Sequence, residues 1–168
     1  MLRRTRKMKQ KTGPVPSSAL APGTLAPAFS LPNEAGEPLS LDQFRGSPVI
    51  LVFYPADWSP VCGDQLTLYN EILPLFEGHN AQVIAVSVDG RWCHQAFAEN
   101  RSLRFPLLSD FEPKGAVAKA YGVYDTDSGS AKRALFVVDA EGYIRWNHVA
   151  PPGVNPGADG ILDALESL

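Results

Sequence analysis

Residues 48–64 read PVILVFYPADWSPVCGD and join three kinds of local structure in one short stretch. The apolar run from Pro48 to Tyr54 has the length of a strand and predicts a buried one. Two prolines then mark a loop, and beyond it apolar residues recur at intervals of three and four as far as Phe76. That spacing predicts an amphipathic helix over residues 63–77, kinked at Pro74.

The rest of the chain continues this alternation. Further strands are predicted over residues 28–31, 82–88, 105–108, 135–138 and 144–149, and further helices over residues 91–100, 113–121 and 160–168. Residues 38–44 are predicted to form a surface connection. Strand–helix–strand units force parallel pairing, whereas the last two strands form a hairpin. The order therefore predicts an α/β fold of the thioredoxin-like kind, with a mixed central β-sheet flanked by helices on both faces.

Length and composition predict one folded domain preceded by a basic arm. The chain has 168 residues, 45% of them hydrophobic, which suits a single domain with a sizeable core. We expect that domain over residues 23–168, after a flexible N-terminal arm over residues 1–22. Six of the 15 basic residues lie in residues 1–11, which contain no acid. The remainder is therefore acidic and a poor partner for nucleic acid, so any such binding would depend on the arm alone.

The sequence favours a cytoplasmic protein without a membrane span. Its longest apolar run is far shorter than the roughly 20 residues that a membrane helix needs. Arg3 and Arg4 suggest a twin-arginine export signal, but no apolar segment follows them. Having only two cysteines suits a reducing compartment. Translation from Met1 and translation from Met8 both fit these features.

Cys62 lies where the loop turns into the predicted helix. Backbone amides in the first turn of a helix lack intrahelical partners, and the helix dipole adds partial positive charge, so a thiolate is stabilised there. Ser59 can offer its hydroxyl to the same sulfur, and Pro55 stiffens the loop. We expect Asp57 and Asp64 to face solvent, because a carboxylate turned inward disfavours a thiolate. An ordinary buried cysteine is the alternative that the cysteine count alone favours.

The spacing of Pro55, Ser59 and Cys62 resembles the Pro-x-x-x-Thr/Ser-x-x-Cys signature of the peroxiredoxins, thiol peroxidases built on a thioredoxin-like fold. Serine replaces the commoner threonine and keeps the hydroxyl. The similarity covers about residues 20–168. It includes stretches at residues 28–32, 105–110, 120–123 and 132–139. Residues 110–117 and the short C-terminus are most similar to the alkyl hydroperoxide reductase E group. The C-terminal resolving cysteine of the typical two-cysteine group is missing.

The resemblance implies a thiol-dependent peroxidase that reduces hydrogen peroxide and organic hydroperoxides. Cys62 would be the peroxidatic cysteine and form a sulfenic acid, assisted by Ser59 and Pro55. Arg133 falls on the family's active-site arginine, although without the resemblance it would be taken for a surface residue. No metal, haem or flavin is implied. The reductant would be a thioredoxin-like or glutaredoxin-like protein or a low-molecular-weight thiol, and a homodimer is compatible with the resemblance.

Cys93 is the candidate resolving cysteine. It follows the predicted strand over residues 82–88, and loops after neighbouring parallel strands open on the same edge of a sheet. An intramolecular disulfide with Cys62 is therefore predicted, although some peroxiredoxins have no cysteine in this helix and are resolved by an external thiol. The helix starts would have to unwind, because disulfide geometry needs Cα atoms within about 7 Å.

Three alternatives to this interpretation follow from the same sequence. A thioredoxin-like thiol-disulfide oxidoreductase is disfavoured because Gln65 stands where a Cys-x-x-Cys motif has its second cysteine. A non-enzymatic protein that docks on nucleic acid or membranes through the basic arm stays open. A zinc site is disfavoured because the spacing of its potential ligands fits no common template. Those ligands are Cys62, Cys93, His94, His79 and His148.

Overall fold

The structure, a computed structural model, describes residues 14–168. Its strands are β1 (Ser30–Pro32), β2 (Pro38–Ser40), β3 (Val49–Phe53), β4 (Gln82–Ser87), β5 (Leu107–Ser109), β6 (Tyr124–Asp125), β7 (Ser130–Ala131), β8 (Arg133–Val138) and β9 (Ile144–Ala150). Its helices are α1 (Pro60–Glu71), α2 (Leu73–Glu77), α3 (Arg91–Arg101), α4 (Ala116–Ala120) and α5 (Asp159–Glu166). A short 3₁₀ helix covers Leu41–Phe44.

The main sheet has the strand order β5-β4-β3-β8-β9. β3 is the central strand, pairing in parallel with β4 and antiparallel with β8. β4 pairs in parallel with β5, and β8 and β9 form an antiparallel hairpin. The predicted mixed sheet is confirmed. Because β3 and β4 are parallel neighbours, the loops that follow them open on one edge, and Cys62 and Cys93 both come after these strands.

Side chains of β3 alternate between two apolar layers, one on each face of the sheet. Ile50 and Val52 pack against α1, α2, α3 and α5, whereas Leu51 and Phe53 pack against α4 and the segments before β3. Every residue of β3 is buried. A strand covered on both faces has to be apolar throughout, which explains the uninterrupted apolar run in this stretch of sequence.

The connection over residues 38–44 was predicted wrongly. Pro38–Ser40 forms β2, which pairs antiparallel with β1, and the 3₁₀ helix follows it. The turn between the two strands is held by Asn33, whose side-chain oxygen accepts hydrogen bonds from the backbone amides of Ala35 and Glu37, each at 3.0 Å. Three-residue strands are too short to show an apolar alternation. The hairpin of β6 and β7 was missed for the same reason.

The helix predicted over residues 63–77 is two helices with an earlier start. α1 begins at Pro60 because Ser59 caps it, and proline suits the first helical position, where no amide partner is needed. The helical pattern is interrupted at Ile72, and Pro74 lies in the first turn of α2. Proline has no amide hydrogen to continue the pattern of α1, so the predicted kink is a complete break.

Residues 1–13, which hold the predicted basic cluster, lie outside the described residues, and the division at residue 22 stays a prediction. The last part of the predicted arm contacts the domain. The backbone amide of Leu20 donates to the carbonyl of Tyr121 at 3.2 Å, and Asn147 donates to the Leu20 carbonyl at 2.6 Å. Among residues 14–168, no helix is long and apolar enough to cross a membrane.

We predict that Gly122→Ala destabilises the fold. Gly122 has φ of +72°, and a β-carbon there would come within 1.9 Å of the Ser18 carbonyl oxygen. A side chain in this backbone region alone costs about 1–3 kcal/mol, and the contact with a backbone atom adds to it. Gly153→Ala is the matched control, since a β-carbon at Gly153 meets nothing within 4 Å. In urea denaturation, the midpoint of Gly122→Ala should be lower than that of the unaltered protein, and the midpoint of Gly153→Ala should be unchanged. Equal midpoints for the two variants would contradict the packing of residue 18 against this turn.

Candidate active site

Cys62 occupies the third position of α1 and is fully buried. The Ser59 hydroxyl oxygen caps the helix by accepting a hydrogen bond from the Cys62 backbone amide at 3.4 Å. The serine therefore contacts the backbone of Cys62 and fixes where the helix begins. The predicted position of the cysteine at a helix N-terminus is where the structure places it.

Arg133 reaches Cys62 from the neighbouring strand. It is the first residue of β8, and the pairing of Phe53 with Ala134 places it beside the end of β3. Its Nη2 atom lies 3.4 Å from the Cys62 Sγ atom, and its side chain is 2% exposed. The same Nη2 and the Nε atom donate to the Pro152 carbonyl at 2.9 and 3.2 Å. The guanidinium is thus held in one orientation by the Pro152 carbonyl.

Gln65 and Tyr69 complete this arrangement, and the sequence did not indicate a role for either. The Gln65 Oε1 atom accepts from Arg133 Nη1 at 2.7 Å, and its Nε2 atom donates to the Tyr69 hydroxyl at 3.2 Å. Tyr69 in turn donates to the Gly157 carbonyl at 2.8 Å. Burial raises the pKa of Tyr69 to about 12, so its proton stays in place at neutral pH. A signal was available: both residues follow Cys62 on α1 at helical spacing.

A cleft of about 510 Å³ opens beside Arg133. Its walls combine apolar side chains with a few polar ones from the β6–β7 hairpin. They include Pro55, Lys132, Val149, Ala150 and Pro151. Pro55 therefore lines the approach to the site. A small molecule in this cleft reaches the guanidinium that touches the cysteine sulfur.

Asp57 is buried, which corrects the expectation that it faces solvent; Asp64 is exposed as expected. One Asp57 carboxylate oxygen accepts from the Tyr54 hydroxyl at 2.6 Å, and the other lies 2.7 Å from the His94 Nδ1 atom. The backbone amide of Asp57 donates to Asp89 at 2.9 Å. The Tyr54 and His94 contacts compensate the buried carboxylate. Tyr54 is only three residues away, but Asp89 and His94 are 32 and 37 residues away, too far along the chain to be paired with Asp57 from the sequence.

Cys93 contacts this acidic group and is not near Cys62. Its sulfur and one carboxylate oxygen each of Asp57 and Asp89 lie within 4.8 Å of one another. Burial, followed by the negative charge of Asp57, raises the pKa of the Cys93 thiol to about 11. Both cysteines are free. The structure thus places the two thiols in opposite surroundings, one beside a cation and the other beside carboxylates.

Among the described residues, Asp57, Asp89 and Cys93 are the one group whose potential metal-ligating atoms lie this close together. His79 and His148, considered as zinc ligands from the sequence, are not in it. The structure therefore gathers acidic oxygens around one thiol and not the nitrogen and sulfur set that zinc prefers.

The site combines a buried thiol with a fixed hydrogen-bond donor, the Arg133 guanidinium, 3.4 Å from its sulfur. Such donors stabilise a thiolate and also a negative charge that develops on an atom attacked by it. Arg133 can stabilise both charges, because its several N–H groups can bridge the sulfur and a second acceptor in the cleft. The geometry suits displacement at a small electrophile with an oxygen leaving group.

The sequence model of the AhpC/TSA family matches residues 22–147. The chain belongs to this family of peroxiredoxins. Alkyl hydroperoxide reductase E of Mycobacterium tuberculosis (strain ATCC 25618 / H37Rv) is 39% identical over 147 residues, which cover 87% of this chain and 96% of the relative. Chloroplastic peroxiredoxin Q of Sedum lineare is 36% identical over 149 residues, covering 87% and 78%.

Solved structures agree with these sequence matches. The crystal structure of peroxidoxin BcpB from Mycobacterium tuberculosis is similar with a TM-score of 0.79 at 29% identity, covering 88% of this chain and 97% of that one. The thioredoxin-like fold predicted from the sequence is confirmed. The protein is a peroxiredoxin and thus a thiol-dependent peroxidase.

We predict that Asp57→Asn makes Cys93 easier to alkylate. In a Cys62→Ser background, the rate with iodoacetamide should rise with pH up to about 11, following the pKa of Cys93. Removing the Asp57 charge should lower that midpoint, because the thiolate no longer forms beside a carboxylate. Asp64→Asn is the control, as its carboxylate is exposed. Mass spectrometry of the alkylated peptide gives the rates. An unchanged midpoint in Asp57→Asn would rule out the carboxylate as a cause.

Proposed function

We propose that Cys62 is the peroxidatic cysteine of this peroxiredoxin and that it reduces hydrogen peroxide and organic hydroperoxides. The observation that carries the proposal is the 3.4 Å contact between Arg133 Nη2 and Cys62 Sγ, together with the cleft that Arg133 lines. Cys93 has no such cation beside its sulfur. The name of the alkyl hydroperoxide reductase E relative supports organic hydroperoxides as substrates.

In the first half of the reaction, the Cys62 thiolate attacks one peroxide oxygen. The S–O bond forms as the O–O bond breaks, and the leaving oxygen departs as alkoxide or hydroxide and takes up a proton. Cys62 is oxidised to a sulfenic acid, and the peroxide is reduced to an alcohol or water. Negative charge moves from the sulfur to the leaving oxygen, so a donor that reaches both stabilises the transition state more than the ground state. Arg133 is that donor.

Ser59, Gln65 and Pro55 support this step without bonding to the peroxide. Ser59 fixes the first turn of α1 by accepting a hydrogen bond from the Cys62 backbone amide, and this sets the position of the cysteine. Gln65 holds Arg133 in place through its 2.7 Å hydrogen bond. Pro55 forms part of the cleft wall and limits water at the sulfur. Fixed orientation matters because donors that need no rearrangement give the largest rate gain.

In the second half, Cys93 resolves the sulfenic acid within the chain. The Cys93 sulfur displaces the hydroxyl of Cys62 sulfenic acid, which leaves as water after taking the thiol proton, and a disulfide forms. The two sulfurs are not near each other, so the first turn of α1 and the loop before it must move. A protein or small thiol reductant then restores both thiols. The identity of that thiol, a homodimer and a cytoplasmic location stay predictions.

Replacing the nucleophile tests the proposal directly. We expect Cys62→Ser to abolish peroxide consumption, because a hydroxyl is too weak a nucleophile at neutral pH. Cys93→Ser, the matched control, should still consume one equivalent of hydrogen peroxide per chain in the absence of reductant. Both are followed by peroxide loss and by the mass of the Cys62 peptide. Turnover that survives in Cys62→Ser would assign the chemistry to another residue.

Replacing the cation tests the role of Arg133. We expect Arg133→Met to slow the oxidation of Cys62 by about 10²–10³-fold, the loss typical of one preorganised donor. It should also lower stability, because Gln65 and the Pro152 carbonyl lose their buried partner. Arg133→Lys keeps the charge and should lose less rate. Stopped-flow measurements well below the melting temperature give the rates. Arg145→Met, far from Cys62 and paired with Asp139, is the control; equal rates in the Arg133 and Arg145 variants would refute the role.

A further inference from the structure

The loop between β3 and α1 is tied to α3 by a group of polar side chains that we call the Asp57 clamp: Tyr54, Asp57, Asp89 and His94. Tyr54 directly follows β3, Asp57 lies in the loop, and His94 lies on α3. These three are buried, and Asp89 is half-buried. The side chains of Asp57 and His94 are both fully buried. Their 2.7 Å contact joins residues 37 positions apart. The clamp therefore fixes the segment that leads into Cys62.

Both ring nitrogens of His94 have hydrogen-bond partners, which fixes the orientation of the ring toward Asp57. Its Nε2 atom lies 3.1 Å from the Leu108 carbonyl oxygen, which can only accept a hydrogen bond. Its Nδ1 atom faces the Asp57 carboxylate, so a proton is held between these two side chains. Separating them inside the protein leaves an uncompensated polar group, and such groups are costly to bury. The loop can leave this position only when the whole contact breaks.

The loop itself is strained where the clamp holds it. Trp58, the residue after Asp57, has a φ of +65°, a left-handed backbone conformation that residues other than glycine rarely adopt. Its ring is 49% exposed and packs edge-on against Phe97 of α3, with 5.2 Å between the centroids. Strain of this kind persists only where surrounding contacts enforce it. The Asp57 clamp supplies those contacts on one side and Phe97 on the other.

Cys93 lies directly against the same clamp. Its sulfur is within 4.8 Å of carboxylate oxygens of Asp57 and Asp89, and these negative charges disfavour its thiolate. Opening the clamp would thus do two things at once. It would free the loop that carries Cys62, and it would take the Asp57 charge away from the resolving sulfur.

We propose that Asp57 and His94 are positioning residues whose separation controls the second half of the cycle. While they are joined, Cys62 sulfenic acid stays beside Arg133 and can be oxidised again by peroxide to sulfinic acid. When they separate, Cys93 displaces the hydroxyl, water leaves, and the disulfide forms. The strength of the clamp then sets how much enzyme reaches each product. This inference rests on the proposed function, since it requires Cys62 to be oxidised and Cys93 to resolve it.

The test compares the two fates of Cys62 in His94→Gln and in the unaltered protein. Loss of the His94 ring from its contact with Asp57 should speed disulfide formation by about ten- to a hundredfold, the range of one hydrogen bond to a carboxylate. The yield of sulfinic acid at a fixed excess of hydrogen peroxide should fall accordingly. Rapid acid quench and mass spectrometry of the Cys62 and Cys93 peptides report both quantities. Glu99→Gln, an exposed carboxylate of the same helix, is the control and should change neither.

Tyr54→Phe provides a milder variant in case His94→Gln does not fold. It removes the 2.6 Å bond to Asp57 and the longer 3.4 Å contact with His94 Nδ1 but leaves the Asp57–His94 contact, so it should shift the ratio of disulfide to sulfinic acid in the same direction, by less. An unchanged ratio in the folded variants would overturn the inference. If Cys62 is oxidised but no variant forms the disulfide, the inference is also overturned, whereas the proposal that Cys62 reduces peroxide is unaffected. If Cys62 is not oxidised at all, the proposed function fails first.

Discussion

The contact between the Arg133 guanidinium and the Cys62 sulfur depends on the position of several strands and helices. It requires β8 to pair antiparallel with β3, so that the first residue of β8 arrives where β3 ends. It also requires α1 to begin at the residue that Ser59 caps, since a helix starting one residue later would turn the sulfur away from the sheet by about 100°, given 3.6 residues per turn. Gln65, one turn further on, then fixes the guanidinium from the helix side. Strand register, helix start and side-chain orientation thus converge on a distance of 3.4 Å.

The two thiols are separated by charge as well as by distance. Cys62 has an arginine beside its sulfur, whereas Cys93 has two carboxylates near its own. The raised pKa of Cys93 keeps its thiol protonated at neutral pH, whereas the Cys62 sulfur has a cation as its neighbour. The order of events in a two-step oxidation can therefore be set by fixed charges before any conformational change occurs. Asp57 connects the two environments, because it belongs to the loop of the first cysteine and contacts the second.

The sequence was sufficient for the parts of the structure that repeat a pattern or carry a motif. The apolar run of β3 located the centre of the sheet, and the spacing of Pro55, Ser59 and Cys62 drew attention to the cysteine at the start of α1. Arg133 was found only through the resemblance, since nothing local distinguishes it from a surface arginine. The burial of Asp57 could not be predicted, because it depends on the left-handed backbone at Trp58 and on a histidine 37 residues away. Tertiary contacts of this kind leave no periodic signal in the chain.

The segment between β9 and α5 holds two polar side chains of the site through backbone atoms. Arg133 donates to the carbonyl of Pro152, and Tyr69 donates to the carbonyl of Gly157. Every residue has a carbonyl oxygen, so substitutions in this segment can leave both hydrogen bonds in place, whereas an inserted or deleted residue displaces them. An alignment scored on residue identity would rate these positions as unimportant. Tolerance of many amino acids combined with intolerance of length changes is the evolutionary pattern that such a contact should produce.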